Sequence, residues 1–140
     1  MNGRRGAALL LVLIALFLMS SLSIVALTAC NARLRLAADN RWATEAQLIA
    51  DGALASISVE RAADLAGLAD HAAISFPRVV RGDGWSYLAV GARRGTLITL
   101  SATAERRAAD GSLVATRRAS LLLVRRAADT VRVLGRMARF

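Results

Sequence analysis

An uncharged apolar run near the amino terminus constrains this chain more than any other feature. Residues 7–29 carry no charged side chain and follow directly on Arg4, Arg5 and Gly6. As an α-helix this run would extend about 34 Å, which is enough to cross the hydrocarbon core of a bilayer. Its few hydroxyl side chains can hydrogen-bond back to the helix itself. The sequence therefore predicts a transmembrane segment, with a separate region after Cys30.

Charge and length limit what that second region can be. The chain has 140 residues, so one small domain can follow the membrane segment. Its formal net charge is +9, and all 19 basic side chains are arginine. Residues 71–140 hold thirteen arginines and four acids, whereas residues 30–70 hold four arginines and six acids. A basic distal region favours anionic surfaces or acidic partner subunits, or serves as a solubilising face.

The apolar run has three interpretations. An ordinary secretory signal peptide has a shorter apolar core, of roughly 7–15 residues, before its cleavage site. A lipoprotein signal is the second, because residues 27–30 read LTAC and would make Cys30 an acylated cysteine at the membrane surface. The third is a helix that continues beyond the membrane. Arg4 and Arg5 before the run favour a cytoplasmic amino terminus slightly, since arginines at positions 33 and 35 follow it.

The pattern after the run supports a continuing helix. Residues 31–68 contain no proline and two glycines, Gly52 and Gly67. Apolar side chains recur at the three- and four-residue spacing of one helical stripe. The stripe comprises Leu34, Ala38, Trp42, Ala46, Ile49, Ala53 and Ile57, and the other side carries Arg33, Asp39, Glu45, Asp51 and Glu60. We expect one helix from residue 7 to about residue 57, half apolar and half amphipathic.

These features together resemble the type IV pilin-like proteins, specifically the PilX-type minor pilins. Arg4, Arg5 and Gly6 before AALLLVL look like the short basic leader that prepilin peptidase recognises. Residues 31–41, NARLRLAADNR, are similar to the family's segment leaving the membrane, and residues 47–54, QLIADGAL, resemble its small-residue, acid-glycine motif. The resemblance covers about residues 4–57.

The resemblance implies a processing site and a set of partners. Cleavage would follow Gly6, and Ala7 would become the N-methylated terminus. The partners would be prepilin peptidase, other pilin or pseudopilin subunits and the bacterial inner membrane, with the C-terminal domain in the periplasm. Typical pilins carry glutamate at the fifth mature position, where this chain has Leu11. Some tip-located minor pilins and pseudopilins also lack that acid, so Leu11 fits a tip or initiating subunit better than a bulk one.

The distal residues change from helical to alternating periodicity. Residues 70–84 read as a connection containing the single proline and a Gly-Asp-Gly turn. We predict strands over residues 85–90, 96–107 and 112–126 and a fourth edge strand over 130–134, with turns at 91–95 and 110–111. Three or four antiparallel strands need an apolar partner, and the helical stripe supplies it. The predicted class is α+β, a long N-terminal helix packed on a small antiparallel sheet.

The predicted organisation of the chain is a leader over residues 1–6, a transmembrane and polymerisation helix over 7–29, an amphipathic spine over 30–69, and a β head over 70–140.

Four arginine pairs are expected at strand ends or turns of that head: Arg93-Arg94, Arg106-Arg107, Arg117-Arg118 and Arg125-Arg126. Phosphate contacts to DNA need little more than mobile cations, but no nucleic-acid motif accompanies these arginines.

Catalytic patterns are missing from the sequence. There is no Gly-rich phosphate loop, no Cys/His metal spacing and no Ser/His/Asp grouping, and His71 is the single histidine. We therefore expect a non-enzymatic protein without cofactor or metal. The expected function is that of a structural minor pilin or pseudopilin subunit. The alternatives are a lipoprotein acylated at Cys30 with a small basic periplasmic domain, and a single-span anchor that is neither cleaved nor acylated.

Overall fold

A computed structural model describes residues 3–127 and 130–137, with side chains described from Leu9 onward. It divides into two compact units, Met1–Asp39 and Asn40–Phe140. The first unit is helical throughout its described residues. The second unit contains the rest of the long helix together with an antiparallel sheet. The predicted α+β class is confirmed.

The long helix α1 runs over Gly3–Glu60, a length of 58 residues. It extends beyond the predicted 7–57 at both ends, because no proline interrupts the i to i−4 hydrogen-bond ladder. The helix stops where Arg61 leaves helical geometry, with φ −115° and ψ 24°. A second short helix, α2, follows over Ala62–Ala66. The predicted spine is therefore one helix plus a separate short turn of helix.

Among the residues that the structure describes, six antiparallel strands form one sheet. The strands are β1 Ala73–Ser75, β2 Val79–Val80, β3 Trp85–Arg94, β4 Leu97–Arg107, β5 Leu113–Arg125 and β6 Val131–Arg136. Their order is β1-β3-β4-β5-β6, and β2 also pairs with β3. The four longest strands follow one another along the chain, so each pairs with its sequence neighbour through a short turn.

The sheet is larger than the predicted three or four strands. The two additional strands, β1 and β2, lie inside residues 70–84, which were expected to be a connection. Both pair with β3, through Ile74 opposite Gly91 and Val79 opposite Tyr87. Segments of two or three residues are too short to show alternation, so their pairing depends on the free edge that β3 offers. Pairing with a distant strand depends on tertiary structure, so the local sequence pattern does not predict it.

Gly91 lies within β3, so the predicted turn over residues 91–95 is wrong at this position. A β-carbon built on Gly91 would stand 2.6 Å from a methyl carbon of Leu65, so the glycine lets α2 approach the sheet closely. The strand therefore continues to Arg94, and the reversal occurs at Gly95. Asp70 accepts a 2.6 Å hydrogen bond from the Gly95 N–H, and this bond lowers the pKa of the Asp70 carboxyl.

The predicted turn at residues 110–111 is present between β4 and β5. Asp110 accepts hydrogen bonds from both the hydroxyl and the backbone N–H of Ser112, at 2.7 and 2.9 Å. These bonds to the charged form lower the pKa of the Asp110 carboxyl. Gly111 supplies the positive φ, at 84°. Local turn chemistry therefore favours this hairpin.

The core lies between the C-terminal half of α1 and one face of the sheet. Strand β4 contributes four side chains at the predicted alternate positions, all 0% exposed: Ile98, Leu100, Ala102 and Ala104. The helix contributes mainly small side chains: Ala46, Ala50, Ala53, Leu54 and Ile57. An ion pair of 3.1 Å between Arg136 of β6 and Asp51 of α1 closes one side.

Replacing Gly52 with alanine is expected to stabilise the protein by about 0.5–1 kcal/mol, because glycine is unfavourable inside a helix. Gly52 is exposed, and no heavy atom lies within 4 Å of a β-carbon built there. Denaturant unfolding of the detergent-solubilised full chain measures the change. Gly67→Ala is the matched control, since its β-carbon would stand 3.2 Å from the Ala63 carbonyl oxygen. An unfolding midpoint for Gly52→Ala at or below that of the unmodified chain would refute the expectation.

Candidate functional site

The most distinctive surface of the molecule is the apolar part of α1. By length and composition, one helix among the described residues can cross a membrane, and its most apolar window is 0% buried in the protein. Exposure is high on every side of this part of the helix, from 48% at Ile14 to 75% at Phe17. Large apolar side chains are stable in such positions when lipid or other protein surfaces cover them.

Three of the four hydroxyl side chains within residues 9–29 hydrogen-bond to the helix itself. The Ser21, Ser23 and Thr28 hydroxyls donate to the carbonyl oxygens of Leu18, Met19 and Val25, at 2.8–2.9 Å. Each bond returns to the preceding helical turn, so these hydroxyls need no water. This arrangement meets the requirement that polar groups in hydrocarbon find internal partners.

The predicted processing position lies within α1. The backbone of Gly6 and Ala7 is helical, and their surroundings lie outside the described side chains. Leu11, where typical pilins carry glutamate, is 65% exposed. Cleavage and N-methylation at Gly6 and Ala7 stay predictions.

Cys30 is an exposed free cysteine on α1. The helix continues without interruption on both sides of it, as far as Glu60. Proteolysis before Cys30 would require this region to leave the helical conformation. Acylation of Cys30 therefore stays a separate hypothesis that the fold neither requires nor assists.

The amphipathic stripe begins later along α1 than the sequence predicted. Leu34 is 63% exposed, and Ala38 is exposed as well. Trp42 and Ile49 are half-buried against the core, and the stripe is buried at Ala46, Ala53 and Ile57. Periodicity identifies the face of a helix, but the position of the sheet decides where along the helix that face is covered.

Three of the four arginine pairs lie at strand ends, as expected. The exception is Arg117-Arg118, which lies inside β5 because that strand extends from Leu113 to Arg125. The two side chains lie on opposite faces of the sheet, and Arg118 donates a 3.0 Å hydrogen bond to the Ser101 hydroxyl.

In the pair at the end of β4, Arg106 stacks on Trp42 of α1 with its guanidinium carbon 3.5 Å from the ring centroid. The sequence alone does not indicate this contact, because the two residues belong to elements that are distant along the chain.

His71 lies in an exposed turn with φ 59° beside Asp70, and its Nε2 atom is 3.7 Å from a carboxylate oxygen. Within residues 3–127 and 130–137, no group of three metal-ligating side chains comes together.

Comparisons with protein-family models, curated proteins and solved structures found no match for this chain.

Proposed function

We propose that this protein is a structural subunit of a type IV pilus or a related secretion filament, in the manner of a minor pilin or pseudopilin. One observation carries the proposal. A single helix presents an all-round apolar surface over its first half and packs against an antiparallel sheet over its second half. In a membrane, lipid covers the first half. In a filament, the same half of neighbouring subunits would cover it, because matching apolar surfaces can replace lipid.

The proposal assigns a compartment to each part. The apolar segment crosses the inner membrane, Arg4 and Arg5 remain on the cytoplasmic side, and the sheet lies in the periplasm before assembly. Prepilin peptidase cleaves after Gly6 and methylates Ala7. The other pilin subunits are the structural partners, and Leu11 in place of glutamate suits a subunit at the tip or at initiation.

A charge within the apolar segment tests this function. We expect Leu18→Arg to reduce membrane insertion, because arginine at the centre of a spanning helix costs about 2.5–3.5 kcal/mol on the translocon-insertion scale. The variant should also be absent from sheared filaments, since a buried arginine would lack a partner among apolar helices. Membrane fractionation and immunoblotting of the sheared fraction measure the two effects.

Val80→Arg is the matched control for Leu18→Arg. Val80 is 77% exposed and lies on β2 of the head, so an arginine there should leave both membrane insertion and filament recovery unchanged. Recovery of Leu18→Arg in filaments at the level of Val80→Arg would refute the assembly role of the apolar helix.

The lipoprotein alternative rests on the LTAC sequence and on the exposed thiol of Cys30. Under the filament proposal, Cys30→Ser should not change the membrane fraction, because serine fits an exposed helical position. Under the alternative, Cys30→Ser should remove lipid labelling and change the processed mass. Metabolic labelling of the unmodified protein and of Cys30→Ser with a fatty-acid analogue separates the two functions. If the protein is a simple single-span anchor, neither the unmodified protein nor Cys30→Ser should be cleaved or carry lipid.

A further inference from the structure

A polar cavity lies in the head, apart from the apolar half of α1. It has a volume of about 480 Å³ and opens between α1 and the adjoining ends of β3 and β4. Its lining includes two aromatic rings and both signs of charge, from Arg41, Trp42, Glu45, Asp83, Trp85 and Arg106. Nothing in the proposed assembly through the apolar helix uses this cavity.

The sheet register brings Arg106 to the helix side. Arg106 pairs with Trp85 across β3 and β4, and it shares the phase of Ala104 and Ala102, which are both 0% exposed. Its side chain therefore points toward α1 at the end of the sheet, where Trp42 receives it. The guanidinium carbon of Arg41 lies 5.4 Å from the same ring centroid. Both guanidinium groups therefore lie next to the Trp42 ring.

Neither of these guanidinium groups forms an ion pair with a carboxylate of the described residues. Arg106 donates one hydrogen bond, from Nε to the Asp83 carbonyl at 3.3 Å. A guanidinium carries five N–H donors, so most of the donors on Arg106 remain available. Arg107, the third arginine of the lining, is already 3.5 Å from Glu105. Arg41 and Arg106 are therefore the two arginines of the lining that form no ion pair with a carboxylate of the described residues, although Glu45 and Asp83 line the same cavity.

The charges of the cavity lining indicate which kind of ligand the cavity would bind. Three arginines and two acids give the lining a formal charge of +1, which matches one negative charge. The flat fork of a guanidinium suits a carboxylate, and the half-buried Trp42 ring provides apolar surface for the carbon stem that carries it. A dianionic phosphate would bring a second negative charge into a cavity that Glu45 and Asp83 also line, and like charges repel.

We propose that this cavity is a binding site for a carboxylate presented by an acidic segment of another protein. Arg106 and Arg41 hold the carboxylate oxygens, and Trp42 fixes the position of both guanidinium groups. The site lies wholly in the head and requires no filament, so it stands or fails independently of the assembly role of α1.

Intrinsic fluorescence gives a direct test, because the chain contains two tryptophans and both line the cavity. The full-length protein in neutral detergent at low salt is titrated with a capped tetraglutamate peptide. We expect a saturable fluorescence change, with affinity lowered at least about tenfold in Arg106→Gln and in Arg41→Gln. Arg41 is exposed on the helix, so its replacement keeps the test valid even if Arg106→Gln disturbs the fold.

Arg117→Gln is the charge-matched control, because Arg117 is exposed on β5 and lies outside the cavity. It should bind the peptide as the unmodified chain does. Equal weakening in all three variants would overturn the proposal in favour of general charge attraction, as would the absence of saturable binding at millimolar peptide. Inorganic phosphate is titrated in parallel. If it binds through the same two arginines more tightly than the peptide, the carboxylate assignment is wrong.

Discussion

Replacing Gly6 with leucine is expected to abolish removal of residues 1–6 and to leave no detectable subunit in filaments. The resemblance to pilins assigns cleavage to the bond after Gly6, where the peptidase accepts a glycine. A leucine side chain at that position would occupy space that the glycine leaves empty. The unprocessed chain would remain in the inner membrane, anchored by its apolar helix. Intact-mass measurement of the membrane fraction and immunoblotting of sheared filaments record both effects.

Gly3→Leu provides the control for this experiment. It introduces the same side chain three residues earlier, so general effects on expression and insertion are matched while the cleaved bond is untouched. We expect normal processing and normal filament recovery for Gly3→Leu. Normal processing of Gly6→Leu would contradict the predicted cleavage position, and normal assembly of uncleaved Gly6→Leu would contradict the assembly mechanism.

Replacing Gly84 with alanine is expected to destabilise the head by about 2–5 kcal/mol, the largest stability change that we predict. Gly84 has φ +76°, a conformation that costs an L-residue about 1–2 kcal/mol. A β-carbon built there would also collide with the backbone carbonyl of Arg107. That strand cannot move aside easily, because the Arg107 N–H donates a 3.0 Å hydrogen bond to the Gly84 carbonyl. Overpacking of this kind adds about 1–3 kcal/mol.

A second glycine separates the two contributions. Gly111 has a similar φ, +84°, but no heavy atom lies within 4 Å of a β-carbon built there. Gly111→Ala should therefore lose only about 1–2 kcal/mol, the conformational part. Denaturant unfolding, followed by the fluorescence of Trp42 and Trp85, measures both variants. Equal losses for Gly84→Ala and Gly111→Ala would show that the contact with Arg107 has no energetic consequence.

Local periodicity was sufficient to predict the main elements of this fold. The long helix, its buried stripe at Ala46, Ala53 and Ile57, and the alternation of β4 all follow from spacing in the sequence. The failures arise where partners are distant along the chain. The strands β1 and β2 exist because β3 offers them a free edge, and Gly91 remains in its strand because Leu65 packs over it.

The candidate sites divide in the same way. The apolar surface of α1 could be predicted, because the absence of charge over residues 7–29 is visible in the sequence alone. The cavity at Trp42 and Arg106 could not, because 64 positions separate them along the chain (106 − 42). Arg106 appeared as one member of a charged pair, and Trp42 as one member of an apolar stripe. Only the register of β3 and β4 places Arg106 on the helix side of the sheet.

The intact mass and N-terminal sequence of the protein isolated from native membranes test the filament assignment most directly. The filament assignment predicts a chain that begins at Ala7 and carries one methyl group on its terminal nitrogen. A chain that begins at an acylated Cys30 would contradict it and would leave a lipid-anchored basic domain. A mass that retains residues 1–6 would also contradict it, because no prepilin peptidase would then have acted on the chain.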